Sequence, residues 1–279
     1  MINCSVGQLL QFAAKRLTQS SSPLLDAQLL LAYVLQTKRE ILFAWPERQL
    51  NYEQLELFTN LLSKREQGEP VAYLTGKQSF WKLELKVSPA VLIPRPETEL
   101  IVEWVLNYFN QKTCLQLADL GTGSGAIALA IAQERPQWQL TATDFSYEAL
   151  SIAIQNASHH QIQNIIFKHG DWCQPLESAQ YDCIVSNPPY VADTEKHLLS
   201  HETCYEPAQA LFAKENGFAE LLTITKQAKK YLKSGAPLIL EHGFQQAKTL
   251  RNQLTLLGYQ QIVTLPDLAG LDRITIAFC

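Results

Sequence analysis

The 279-residue chain predicts an α/β fold, a mainly parallel sheet flanked by helices on both faces, behind a small helical bundle. Three observations carry this expectation. Apolar runs of strand length alternate with helical ones from Leu115 onward. A glycine-rich turn, Gly121 to Gly125, follows the first of those strands and opens a helix, which is where an open α/β sheet holds its ligand. The residues up to about Gln67 carry helical spacing, and no strand pattern appears before Phe80.

In chain order, Val6, Leu9, Leu10, Ala13 and Leu17 lie at helical spacing, followed by Leu24, Leu25, Leu29, Leu30 and Val34. Periodic segments around Ile41 to Trp45 and Leu55 to Leu62 continue the series. Breaks at Ser20-Ser21-Ser22-Pro23 and Trp45-Pro46 separate them, as in a small bundle. Between Phe80 and Ile93 the alternation Trp81, Leu83, Leu85, Val87 runs into Ser88-Pro89 and predicts a β-hairpin turning there. The expected domains are a helical domain over 1–75, a hairpin linker over 76–95 and an α/β domain over 96–279. Within the last, strands are expected over Leu115 to Leu120, Gln139 to Thr143, Asn164 to Lys168, Tyr181 to Ser186, Ala236 to Glu241, Tyr259 to Leu265 and Arg273 to Phe278. Helices fall over Ala126 to Gln133, Tyr147 to Ala157, Gly217 to Leu232 and Phe244 to Leu257.

An apolar content of 47% with 18% charged residues describes a folded chain with a sizeable core. The formal net charge of −4 offers no general attraction to phosphate backbones, so a protein or small-molecule substrate is favoured over nucleic acid. Six cysteines form no CxxC pair and are read as reduced structural residues of a cytoplasmic protein. The start lacks a basic segment followed by an apolar core, so no signal peptide is expected. The stretch Leu24 to Leu35 is broken by Asp26 and Gln28 and is too short to span a bilayer.

The chemistry is concentrated in Ser186-Asn187-Pro188-Pro189-Tyr190, after the apolar run that ends at Val185. Its residue types suit the methylation of a planar nitrogen whose lone pair is delocalised. The Asn187 side-chain oxygen accepts a hydrogen bond from such an NH2 group. The stiff Pro188-Pro189 unit holds neighbouring backbone carbonyls to accept another, and Tyr190 offers a flat face to the target. A plain proline-terminated loop has the same residues, so the tetrapeptide alone leaves both readings open.

Gly121, Thr122, Gly123, Ser124 and Gly125 let a backbone approach a ligand closely. Asp144, ending the next strand, is placed for ribose hydroxyls, and Asp171-Trp172, after the third, supplies an acceptor for an adenine amino group with an aromatic neighbour. Spacing alone does not exclude a nicotinamide dinucleotide, because Gly121, Gly123 and Ala126 also satisfy that loose pattern. Asp119 ahead of the glycines and the Asn-Pro-Pro-Tyr run favour S-adenosyl-L-methionine. Arg95, Glu97 and Glu99 surround Pro96, a first helical residue, and are open to a structural role at a helix start or to one beside the cofactor. His197 and His201 stand four apart, but no third ligand is suggested; no metal is expected and a surface helix is preferred. Glu241-His242-Gly243 ends a strand and either borders the site or packs structurally.

With these motifs in place, the chain resembles the protein-(glutamine-N5) methyltransferases that modify class I peptide chain release factors, over nearly its full length. The resemblance rests on Ile93-Pro94-Arg95-Pro96-Glu97-Thr98-Glu99, Asp119 to Gly125, Asp171-Trp172, Ser186 to Tyr190, Tyr205-Glu206-Pro207, Glu241-His242-Gly243 and Asp267 to Arg273. It implies a class I S-adenosylmethionine-dependent methyltransferase fold with a Rossmann-like, mostly parallel seven-stranded sheet, and an N-terminal helical domain that docks the release factor. Gly121 to Gly125, Asp144, Asp171, Trp172 and Asn187 would hold the cofactor, which leaves as S-adenosyl-L-homocysteine. Asn187, Pro188, Pro189 and Tyr190 would hold the glutamine of a Gly-Gly-Gln loop, with Asn187, Pro188 and Tyr190 in the catalytic set. Tyr205 stands where the family often has Phe, and the terminal Ala277-Phe278-Cys279 departs from its usual Gly-Arg ending. No strong base accompanies the motif, so catalysis is expected to rest on orientation, with the proton leaving late to solvent. Rival readings are an adenine-N6 nucleic-acid methyltransferase, a non-catalytic adenosyl-binding module and a nicotinamide-dependent oxidoreductase.

Overall fold

The computed structural model describes residues 4–177, 181–198 and 200–279. They divide into two compact units, one formed by residues 4–77 with Ser200–Tyr205 and the other by 78–177, 181–198 and 206–279. The return of the chain to the first unit at Ser200–Tyr205 carries no sequence signal.

The first unit is helical because its polar punctuation and apolar spacing agree. Ser5 and Gln8 form a capping box that starts α1 (Val6–Arg16), which buries Val6, Leu9, Leu10 and Ala13. Pro23 opens α2 (Pro23–Val34), and α3 (Arg39–Ala44) follows. A second capping box, Asn51 with Gln54, starts α4 (Tyr52–Glu66). α5 (Val71–Thr75) stops at Gly76, whose left-handed φ of 71° closes the helix without a Cβ penalty. Asp26, the break noted within an apolar run, is a buried ion-pair partner: its Oδ2 receives Arg65 Nε at 2.7 Å and Ser20 Oγ at 2.7 Å. Arg65 also pairs with Glu202 of the returning segment.

A hairpin follows, β1 (Lys77–Phe80) and β2 (Leu83–Lys86). It corrects the expectation of a turn at Ser88-Pro89. The reversal occurs at Trp81-Lys82, with Trp81 at a φ of 54°. Two carboxylates hold that conformation: Trp81 N donates to Glu99 Oε1 at 2.7 Å and its indole Nε1 to Glu134 Oε1 at 2.9 Å. A turn stabilised by residues this distant carries no local glycine or asparagine signature.

The second unit contains α6 (Glu99–Tyr108), β3 (Gln116–Leu120), α7 (Ala126–Glu134), β4 (Gln139–Asp144), α8 (Tyr147–His159), β5 (Ile165–His169) and β6 (Cys183–Ser186). A short parallel pair, β7 (Val191–Ala192) and β8 (Phe212–Ala213), brackets α9 (Ala208–Leu211), and a turn, α10 (Lys214–Gly217), precedes α11 (Ala219–Ala228). β9 (Pro237–Glu241), α12 (Ala247–Leu256), β10 (Gln260–Pro266) and β11 (Asp272–Phe278) complete it. The seven-stranded sheet has the order β10-β11-β9-β6-β3-β4-β5. β11 runs antiparallel to both its neighbours, while the β9-β6-β3-β4-β5 pairs are parallel. Ile101, Val105, Ile127 and Leu129 build an apolar layer with residues of one sheet face, and Leu221, Ile224, Leu250 and Leu254 build one with residues of the other. Burial on both faces accounts for the near-continuous apolar reading of the central strands.

The register positions the site. From β3 the chain builds outward to β5 and then crosses back to β6 on the other side of β3, so a crevice opens at the carboxyl ends of these two strands. Leu120 pairs with Ser186, Ser186 with Leu240, and Leu120 with Thr143. The next residues, Glu241, Asn187, Gly121 and Asp144, therefore form one row along the sheet edge.

Candidate active site

The glycine turn is stapled at both ends. Gly121, Gly123 and Gly125 all have left-handed φ angles of 70°, 58° and 87°. Asp119 Oδ2 accepts from the Thr122 hydroxyl at 2.6 Å and from Ala128 N at 3.3 Å, which ties β3 to the first turn of α7. The other oxygen, Oδ1, has no hydrogen-bond partner among the described residues. Burial is the largest influence on Asp119 and pushes its carboxyl up to about 7, against the two hydrogen bonds that favour the charged form. Gly121 N and Thr122 N both donate to Thr143 O at 2.9 Å.

Asp144 is drawn into the same turn. Its Oδ2 accepts from Gly123 N at 2.8 Å and its Oδ1 from Ser146 N at 2.9 Å. Burial raises its carboxyl above the ordinary value despite these donors. Trp172, at a φ of 44°, is fixed by its indole N–H on Glu220 Oε2 at 2.8 Å and by its carbonyl accepting from Thr143 Oγ1 at 3.0 Å. Its ring lies over Gly121, where a Cβ would come within 2.9 Å of Cζ3, so that glycine is required by contact as well as by φ.

Around these residues lies a cavity of about 620 Å³, whose walls include Gly121 to Ser124, Asp144, Asp171, Trp172, Asn187, Pro189, Thr98 and Glu220. Three of the wall residues are acids and none is Lys, Arg or His. Such a charge lining opposes a pyrophosphate and suits a ligand that carries positive charge and hydroxyl groups. The apolar part of the wall, Val91, Leu92, Pro94 and Ile127, suits a planar ring.

At the end of β6, Asn187 turns its Nδ2 to the Thr98 hydroxyl at 3.0 Å. Thr98 Oγ1 donates to Glu241 Oε2 at 2.7 Å, and the Tyr190 hydroxyl reaches Glu241 Oε1 at 3.2 Å. Glu241 is 1% exposed, and burial pushes its carboxyl up to about 7, opposed by Thr98, Arg273 and Tyr190. The Tyr190 phenol is driven above its usual range, first by burial and then by Glu241. Asn187 and Pro189 belong to the cavity wall, whereas Pro188 and Tyr190 are not among its residues. Gln246 Nε2 fastens the end of the loop, donating to Tyr190 O at 3.0 Å and Gly217 O at 3.2 Å.

The other motif residues have defined partners. Glu206 accepts from Ile93 N at 3.0 Å and pairs with Arg95, clasping the segment ahead of a 3₁₀ turn over Pro96–Thr98. Glu99 holds Trp81. His197 lies in a 3₁₀ turn, Asp193–Leu198, rather than the expected surface helix, and His201 belongs to the other unit. Among the described residues no group of three or more candidate metal ligands occurs, and no helix is long and apolar enough to cross a membrane. Sequence reasoning passed over Thr98 and Glu220; a hydroxyl within a motif rich in charged residues draws no notice, and an exposed-looking helix acid has no local mark.

The family model for the methyltransferase small domain matches residues 98–255, and that for the PrmC N-terminal domain matches 8–76. A release factor glutamine methyltransferase from Coxiella burnetii is 48% identical over 260 residues, covering 93% of each chain. Another, from Escherichia coli, is 42% identical over 267 residues, covering 96% of each. The chain belongs to the release factor glutamine methyltransferases. Among solved structures, the hMettl16 catalytic domain in complex with a MAT2A 3'UTR hairpin aligns with a TM-score of 0.59 at 18% identity, covering 71% of this chain and 76% of that one. A methyltransferase from Pyrococcus furiosus gives 0.54 at 17% identity, covering 79% and 98%. These likenesses speak to the fold, the class I methyltransferase fold. The small-domain match contains the glycine turn, Asp144, Asp171-Trp172, Asn187 to Tyr190 and Glu241, while residues 77–97 lie outside both matches.

Proposed function

We propose that the protein transfers the methyl group of S-adenosyl-L-methionine to the side-chain amide nitrogen, N5, of the glutamine in the Gly-Gly-Gln loop of class I peptide chain release factors. The observation that carries this reading is the fixed Asn187 amide at the edge of an acid-lined cavity: Nδ2 is occupied by Thr98, leaving Oδ1 for an incoming N–H donor. The relatives' shared name supports the release factor and its glutamine as the substrate.

The residues fit the cofactor. Gly121 and Gly123 leave backbone exposed at the wall, Asp144 and Asp171 are acceptors for hydroxyl and amino groups, and the absence of basic wall residues favours a sulfonium cation. When bound, the cofactor supplies a methyl group made electrophilic by that sulfonium. The chain's own task is orientation. Asn187 Oδ1 and the backbone carbonyls beside Pro188 and Pro189 accept hydrogen bonds from the two amide N–H groups, which turns the nitrogen lone pair toward the methyl and favours positive charge growing on nitrogen. Asn187 takes no proton at neutral pH, so the proton departs to solvent after transfer. Tyr190 anchors the loop through its hydroxyl on Glu241.

The helical domain over 1–75, joined by the segment 76–95 to the methyltransferase domain over 96–279, is assigned to docking the release factor. Its α2 exposes Leu25, Leu29 and Tyr33 at spacing of four, one apolar stripe free for a protein partner. The expected setting is the cytoplasm, where release factors act, and no direct binding of nucleic acid is required.

Incubation with labelled S-adenosyl-L-methionine and, separately, a release factor, its Gly-Gly-Ala variant, duplex DNA and ribosomal RNA tests the reading. Label is expected in the first alone; label in nucleic acid, or none anywhere, would overturn it. Asn187→Ala is expected to lose about 100-fold or more in turnover while cofactor affinity changes little. Unchanged turnover would remove Asn187 from this role.

A further inference from the structure

The two ends of an asparagine amide differ only in that one accepts and the other donates, so the neighbours decide its orientation. The neighbour of Asn187 is the Thr98 hydroxyl, 3.0 Å from Nδ2. That hydroxyl has a single proton, and 2.7 Å away lies Glu241 Oε2, which in its ionised form only accepts. Thr98 is 4% exposed and Glu241 1%, so bulk water does not compete for either. With its proton given to Glu241, Thr98 presents only lone pairs to Asn187. A reversed amide would bring Oδ1 against an oxygen with no proton to give, a buried contact between two acceptors.

Glu241 is itself held in place. Its Oε1 receives the Tyr190 hydroxyl, and the positive charge of Arg273 acts on it from β11. The row of strand ends brings the carboxylate beside Asn187, since Leu240 pairs with Ser186. We propose that Glu241, acting through Thr98, sets the sense of the Asn187 side-chain amide, so that Oδ1 and not the NH2 group meets the substrate amide. The inference rests on the role given to Asn187 above and deepens it. It adds two positioning residues, Thr98 from the Ile93 to Glu99 segment and Glu241 from the end of β9.

The test is a mutant cycle with an activity-free readout. Thr98→Val keeps the shape and removes the hydroxyl; it is expected to lower kcat about tenfold or more with little change in KM or in cofactor Kd. In the Asn187→Ala background the same substitution is expected to cost nothing further, because Thr98 then has nothing left to orient. Thr98→Ser restores the hydroxyl and should recover most of the loss. In the ligand-free protein, the Asn187 side-chain NH2 resonance, assigned by its disappearance in Asn187→Ala, is expected to exchange with solvent faster in Thr98→Val than in wild type. If Thr98→Val does not fold, Glu241→Gln carries the test: its amide either donates to or accepts from Thr98, so turnover should fall further than in Thr98→Ser. Near-wild-type kcat in the Val variant, an equal loss in both backgrounds, or an unaltered Asn187 resonance would overturn the proposal. A fully active Asn187→Ala would instead sink the clamp itself, and the positioning role with it.

Discussion

Thr98 and Glu241 lie 143 positions apart and share a 2.7 Å hydrogen bond, which gives Asn187 a pH dependence that its own chemistry lacks. Burial pushes Glu241 up to about 7, and Glu97 adds to the shift, while Thr98, Arg273 and Tyr190 oppose it. His242, next in the chain, is kept toward its neutral form chiefly by burial. A carboxyl raised in this way becomes the acceptor-only anion as pH rises through about 7, and below that it carries a proton that Thr98 can accept. Turnover at saturating substrate is therefore expected to climb with pH through about 7, and Glu241→Gln is expected to lose that limb. A wild-type kcat profile that stays flat across this range would contradict the argument. Of the site residues, the glycines were legible because a ligand-facing turn after a strand favours residues that tolerate positive φ. Asn187 was legible because N-P-P-Y concentrates unusual chemistry. Thr98 was not, because its importance lies in what its single proton does for residues on other elements.

Elements carry a different kind of information. The strands and helices of the α/β unit were readable from apolar periodicity, since burial of both faces of the sheet imposes it. The hairpin was readable as strands but not as a turn, because Trp81 adopts its left-handed backbone under two distant carboxylates. Beyond Tyr190 the secondary structure of the connection between β6 and α11 was not readable: among the described residues its short β7 and β8 form a two-stranded pair of their own. Its key joint is Gly217, at a φ of 84°, where a Cβ would fall 2.2 Å from Tyr190 O. Gly217→Ala therefore adds roughly 1–2 kcal/mol for the left-handed backbone and about 1–3 kcal/mol for the overlap. Thermal unfolding should show a clearly lowered Tm, and if the variant folds, turnover should fall as Tyr190 is displaced. A Tm equal to wild type would show that the loop relaxes freely.

For the molecule as a whole, buried acids tie stability to pH. Asp119 has a folded-state value of about 7, well above the ordinary 3.8. The folded state thus holds a proton that the unfolded chain has released, so this contribution to stability is full below about pH 4 and is lost as pH rises through about 7. Asp119→Asn keeps an acceptor for Thr122 and Ala128 and cannot become charged. Its Tm relative to wild type is expected to rise between about pH 4 and 8; a constant difference would place the proton elsewhere. His242, lowered by burial, works in the opposite direction at its own lower range and is common to both proteins. The acidic balance of the chain, −4 overall, and the cavity wall, whose charged residues are all acids, point the same way at different scales, toward a cationic cofactor and away from phosphate.

By itself the sequence determined the helical domain, the strand and helix alternation, the glycine turn and the stiff Asn-Pro-Pro-Tyr loop, because periodicity, glycine tolerance and proline stiffness act over a few residues. Only the tertiary structure decided which of these meet. Parallel register set Gly121, Asn187, Asp144 and Glu241 in one row, and a buried network of Thr98, Glu241 and Tyr190 took up the Asn187 side-chain NH2 group. Hydrogen bonds of this kind depend on distance and direction in space, and strand order places together residues that the chain keeps far apart.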